Sequence, residues 1–100
     1  MVHHIILWKI KGDKTEEEKE LIRSSVKKGL EGLQELVPGI ERIFVQTEAL
    51  PSSTADLMLD SVFVNEQALK DYAVNPHHVQ VADAYVRLNM EIRMCLDYED

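Results

Sequence analysis

Few side chains in this sequence of 100 residues can move a proton near neutral pH: four histidines (His3, His4, His77, His78) and, as hydrogen-bond donors, three tyrosines. Tyr72 and His78 have complementary chemistry. A neutral imidazole, with an ordinary pKa of about 6.5, takes up a proton, and a phenol donates a hydrogen bond to a developing enolate oxygen. They stand six residues apart, so on one continuous helix they would point about 240° away from each other. Only Asn75-Pro76 lies between them to break the helix and let them converge. The bland alternative makes Tyr72 a core residue with its hydroxyl at the rim and gives His78 the task of capping a helix start.

The remaining candidates are weaker. His3 and His4 lie on a strand and face opposite sides. His77 and His78 diverge by about 100° at a helix start. Neither pair has the spacing of a zinc chelate such as His-x-x-x-His, so no metal is expected. A site combining His4, His78 and Asp60 across elements is the one alternative left. His4 is expected on a face with Ile6, Trp8 and Ile10, its ring satisfied by a partner or water. Trp8 reads as a core residue, with stacking on a ligand as the alternative. Cys95 has no nearby base in sequence and is expected to act as a small, at least half-buried hydrophobe. Gly12, Gly29, Gly32 and Gly39 match neither a phosphate loop nor a nucleophile elbow, and no cofactor is expected.

Composition bounds these options. The chain is 45% apolar and 29% charged, with a formal net charge of -7, which fits a single domain over residues 1–100 and rules out disorder or a multidomain enzyme. Eighteen acidic residues against eleven basic ones argue against nucleic acid or an anionic membrane as partner. The longest apolar run, Ile5 to Trp8, is too short for a membrane span or a signal peptide. A lone cysteine suits a reducing compartment, and the expected location is the cytoplasm.

The elements that must position these residues follow from periodicity. His3 to Lys11 reads as a strand with apolar residues on both parities, Ile5 and Leu7 against Ile6, Trp8 and Ile10. Thr15 with Glu18 forms a capping box, and Ile22, Val26, Leu30, Leu33 and Val37 then predict one long amphipathic helix, ended by Pro38-Gly39. Gly29 and Gly32 inside it mark a close approach or a bend. Ile40 to Glu48 and Leu57 to Val64 are strands, the latter again apolar on both faces. Asn65 caps a second helix, and Pro76 opens a further helical segment to about Leu88. From Met90 to Tyr98 one parity is apolar and the other mostly polar, as on an edge strand.

The order strand, helix, strand, strand, helix, strand predicts a ferredoxin-like βαββαβ fold of the α+β class, an antiparallel sheet with its first and third strands central. Helices cover one face of such a sheet. The other would be an exposed apolar patch, so a homodimer packed sheet to sheet is expected.

Three segments carry a family likeness: His4-Ile5-Ile6-Leu7-Trp8-Lys9, Val37-Pro38-Gly39-Ile40 and, most specifically, Tyr72-x-x-Asn75-Pro76-x-His78. On these, nearly the whole chain resembles the stress-responsive A/B barrel (Dabb) domain, within the dimeric α+β barrel group. The resemblance implies two sheets closing into a barrel with a cavity, in a family whose members mostly have no assigned reaction. One member, a polyketide cyclase working by intramolecular aldol condensation, uses a tyrosine and a histidine that match Tyr72 and His78, and its first-strand histidine matches His4. Leu57 stands where that cyclase has a histidine, Ile22 and Val26 where it has aromatic side chains, and Asn89 where it has a tryptophan. The acid–base pair is kept while the walls differ.

The sequence therefore predicts a cytoplasmic homodimer with a mostly apolar pocket lined by His4, Ile6, Trp8, Ile22, Val26, Leu57 and Leu59, holding a small apolar or phenolic ligand. The alternatives are a cyclase- or isomerase-type enzyme, with His78 as base and Tyr72 polarising a carbonyl, and a haem-handling or monooxygenase-type barrel.

Overall fold

A computed structural model describes residues 1–100. The elements are β1 (Val2–Ile10), α1 (Glu16–Glu31), β2 (Ile40–Gln46), β3 (Leu57–Phe63), α2 (Glu66–Val74), α3 (Pro76–Val81) and β4 (Met90–Glu99). The strands form one antiparallel sheet in the order β2-β3-β1-β4, which is the ferredoxin-like arrangement with β1 and β3 central. No helix is long and apolar enough to cross a membrane.

Local chemistry starts and stops each helix. The Thr15 hydroxyl accepts from the Glu18 amide at 3.1 Å, and the Glu18 carboxylate accepts from the Thr15 amide at 2.9 Å. Asn65 caps α2 through the Ala68 amide at 2.8 Å, and Asn75 caps α3 through the His77 amide at 2.9 Å. The expected long first helix is shorter: α1 ends at Glu31, and Gly32–Glu35 tighten into a 3-10 turn. This turn still carries Leu33 into the core, with Val37 following. The segment expected as α-helix to Leu88 is α-helical only to Val81, then widens into a π turn over Ala82–Val86 that buries Ala82 and Val86.

Register assigns every strand residue to a face. One side carries Val45, Leu59, Ile6 and Cys95 in one row, and Ile43, Ser61, His4 and Asp97 in the next. The helices lie on this side, and the main core forms between them, with Val26, Leu30, Leu33 and Tyr72 packed on Ile6, Trp8, Leu59 and Phe63. The other side carries Leu7 beside Met58 and Met94, and Ile5 beside Leu96. There Met94 and Leu96 are 66% and 63% exposed, and Leu7, Phe44 and Ile92 are also open. The apolar parity of β4 thus points away from the protein's own helices.

α1 is tied to the outer strand by ionic side chains. The Val45 amide donates to Glu31 at 2.9 Å, and Lys27 donates both to the Val45 carbonyl and to Glu31 at 2.8 Å. These bonds occupy backbone groups that a sheet edge otherwise leaves free.

Gly39 has φ +87, and a Cβ there would lie 2.6 Å from the Ala68 Cβ. Gly32 is right-handed helical, and a Cβ there would meet nothing within 4 Å. Gly39→Ala is therefore expected to lower the urea-unfolding free energy by about 1–3 kcal/mol, and Gly32→Ala to leave it equal or slightly higher.

Candidate functional site

The site lies on the helix side of the sheet. A cavity of about 470 Å³ opens there between β1, β4 and the α2–α3 pair, with His4, Ile6, Trp8, Leu59, Tyr72 and His78 among its walls. It sits between sheet and helices within one chain. Ile22, Val26 and Leu57, expected at the pocket, do not line it: they are buried in the core. Leu30, Leu69, Ala82, Val86 and Met90 complete the apolar wall instead.

Tyr72 and His78 come together because the chain breaks between them. Asn75 is extended (φ -64, ψ 131), its amide still reaching the Tyr72 carbonyl at 3.1 Å, and Pro76 restarts the helix on a new axis. The two rings pack in a tilted contact with centroids 4.2 Å apart and planes 37° apart. The His78 Nδ1–H donates to the Ala73 carbonyl at 3.2 Å, which fixes the tautomer and leaves the Nε2 lone pair free. Burial lowers the His78 pKa below its ordinary 6.5, and the hydrogen bond to Ala73 opposes this only in part. Burial pushes the Tyr72 phenol well above its ordinary range, with the Arg93 charge acting weakly the other way. Near neutral pH the pair is thus an uncharged base beside an uncharged donor.

Two donors at this cavity are unpartnered. The Tyr72 hydroxyl and Trp8 Nε1 are buried, on residues 2% and 3% exposed, and neither finds an acceptor in the protein. Leaving a buried donor unpaired costs about 1–3 kcal/mol.

His4 is held from behind. Its Nδ1 meets the Asp97 carboxylate, and its ring lies edge-on to Tyr72 at 6.2 Å. The Cys95 sulfur is 3.7 Å from His4 Nδ1 and 3.4 Å from the Asp97 carboxylate. These three donors, all within 4.8 Å of one another, are the group that could hold a metal ion, and their mixed N, S and O character suits zinc. The combination of His4, His78 and Asp60 is not assembled, because Asp60 faces the other side of the sheet and pairs with Arg42 at 3.0 and 3.2 Å. Cys95 is exposed rather than buried, and partial burial and Asp97 raise its thiol pKa, which disfavours a nucleophilic role. The grouping of Cys95 and Asp97 with His4 was readable in principle from their shared parity on β4, once β4 is paired with β1.

The model of one family, the Stress responsive A/B Barrel Domain (Dabb), matches residues 2–100. The chain belongs to the stress-responsive A/B barrel family. A dimeric protein of unknown function with a ferredoxin-like fold from Bacteroides fragilis is 34% identical, covers 99% of this chain and 95% of its own, and superposes with a TM-score of 0.93. More distant Dabb-like folds include a dabb family protein from Mesorhizobium loti (16% identity, 99% and 95% coverage, TM-score 0.75). Another is the hydroxynitrile lyase from Passiflora edulis (18% identity, 97% and 90% coverage, TM-score 0.73). No curated protein matches the chain in sequence.

Because burial depresses the pKa of His78, its neutral form is the one the Dabb fold favours. Its contribution to stability is complete above the unfolded value of about 6.5 and is lost as pH falls through the folded value. An NMR titration of the ring protons is expected to place the His78 midpoint below the ordinary histidine value of about 6.5, and His78→Gln is expected to flatten the acid side of the stability curve.

Proposed function

We propose that this Dabb protein binds a small carbonyl compound in the helix-side cavity and moves a proton on it, as a lyase, cyclase or isomerase does. The observation carrying this reading is the packing of the Tyr72 ring, its hydroxyl unpartnered, against a neutral His78 at the wall of a cavity. His78 Nε2 takes a proton from the carbon next to the carbonyl. The Tyr72 O–H donates to the carbonyl oxygen, whose charge grows as the enolate forms, and a donor placed in advance in a dry site is worth far more than one in water. Asp97 holds the ring of His4 at the edge of the same site. The hydroxynitrile lyase shares only the fold, so it supports a scaffold capable of such chemistry, with no substrate implied. Simple retention of a small apolar or phenolic ligand uses the same walls but gives the Tyr72–His78 pair no task. The haem-handling or monooxygenase alternative has fold-level support of the same kind, from a putative antibiotic biosynthesis monooxygenase of Nitrosomonas europaea at 18% identity and a TM-score of 0.77, but gives the Tyr72–His78 pair no task.

The open sheet face supports the second half of the reading, a homodimer. Phe44, Ile92, Met94, Leu96 and Tyr98 leave an apolar surface that a monomer rarely keeps, and the Bacteroides fragilis neighbour is described as dimeric. A free, exposed Cys95 suits the reducing cytoplasm.

Exchange of the α-protons of phenylacetone in deuterated buffer tests the chemistry. The protein is expected to accelerate it. His78→Ala should reduce the acceleration by about 10²–10⁴-fold and Tyr72→Phe by about 10²–10³-fold, with circular dichroism unchanged. Exchange indifferent to both substitutions refutes the assignment. The acid limb should fall below pH 6.5, following the lowered His78 pKa. In sedimentation, the protein is expected to run as a dimer at low micromolar concentration and Leu96→Glu as a monomer.

A further inference from the structure

Arg93 is a cation at this cavity with no carboxylate partner; the side chain it meets is the Cys95 thiol, which carries no compensating charge. The chain has four arginines and a net charge of -7. Arg23 meets Glu20 at 3.4 Å, Arg42 meets Asp60 at 3.0 Å and Arg87 meets Asp83 at 2.7 Å, while no carboxylate oxygen comes within 4.0 Å of Arg93. Backbone register explains its position. Arg93 lies directly across from Trp8, in the β4 row Asp97, Cys95, Arg93 that runs beside His4, Ile6 and Trp8 on the helix side. It lines the cavity with Tyr72 and His78.

Two further cations near this wall are already paired. Arg87 is held by Asp83, and Lys70, on the adjoining groove, stands 3.7 Å from Glu66. Asp97 is taken by His4, and the Glu91 carboxylate accepts from the Gly12 amide at 3.4 Å. The guanidinium of Arg93 is therefore the positive charge at the mouth with no carboxylate beside it, and its field reaches both Tyr72 and His78. A planar guanidinium matches a carboxylate with two parallel N–H donors.

We infer that the ligand of this cavity is a carboxylic acid with an apolar body, its carboxylate paired with Arg93 and its body lying against Trp8 and Ile6. The inference rests on the proton-transfer reading above and adds the charge of the substrate: an acid whose reacting carbonyl reaches Tyr72 while Arg93 holds its other end. An acidic surface repels such an anion elsewhere, so this arginine both attracts and orients it.

Trp8 is the only tryptophan, is 3% exposed and lines the cavity, so its fluorescence reports occupancy. The full-length protein is titrated with 3-phenylpropionate and with its uncharged counterpart, 3-phenylpropionamide. The acid is expected to bind about tenfold more tightly than the amide, an advantage that shrinks in high salt. Arg93→Gln should remove that advantage by weakening the acid alone, and Arg93→Lys should restore part of it. Because Arg93 is exposed on an edge strand, neither substitution touches the core. Equal affinity for the two compounds, binding of neither, or a preference for the acid that survives Arg93→Gln overturns the inference. Proton exchange on neutral phenylacetone that is unaffected by Arg93→Gln, with equal acid and amide binding, leaves the proton-transfer reading standing alone. Arg93-dependent acid binding without exchange does the reverse.

Discussion

Successive side chains of a β-strand leave its backbone on opposite sides, and β1 carries apolar residues on both. This chain of 100 residues has two helical stretches, and both lie on one side of the sheet. Everything else follows from that division. On the helix side, Ile6, Trp8, Leu59 and Phe63 join the core and the cavity forms. On the other side, Leu7, Met94 and Leu96 stay exposed, in a surface suited to a second copy of the chain.

The cavity exists because the helical cover is interrupted where it crosses β1 and β4. A continuous helix through Asn75 would turn Tyr72 and His78 away from each other. The break at Asn75-Pro76 instead packs them together, and the same burial acts on the two rings in opposite directions, lowering the histidine and raising the tyrosine. Both shifts favour the uncharged form. The two rings thus meet uncharged, without an ion pair between them, and the Tyr72 hydroxyl and Trp8 Nε1 are buried with no protein partner.

The polar parity of β4 supplies the rest of the wall. Asp97 orients His4, and Arg93 places a charge at the mouth, both from the strand whose apolar side chains face the other way. The outermost strand thereby contributes one set of side chains to the site and the alternate set to the open face. Period-two alternation lets one short element serve both.

Element order, both helix caps, the break before Pro76 and the central position of β1 and β3 are all local or periodic properties, and they were legible in residues such as Thr15, Asn65, Asn75 and Ile5 to Trp8. The π turn after Val81 and the early end of α1 were not, since packing of Leu33, Ala82 and Val86 decides them against helical periodicity. The pocket's walls were legible only in part. His4, Ile6, Trp8 and Leu59 share a parity that periodicity reveals, but whether Ile22, Val26 and Leu57 line a space or fill one depends on which neighbours reach them first. The pairing of His4 with Asp97 and the placement of Arg93 across from Trp8 depend on contacts across about 90 residues of chain, which no local pattern encodes. The amino-acid sequence alone determined which residues alternate, where helices begin and where one must break, because those are fixed by a few neighbouring side chains. Tertiary structure alone decided which apolar parity meets the helices and which polar groups are left without partners, because both depend on the whole chain closing around one face of the sheet.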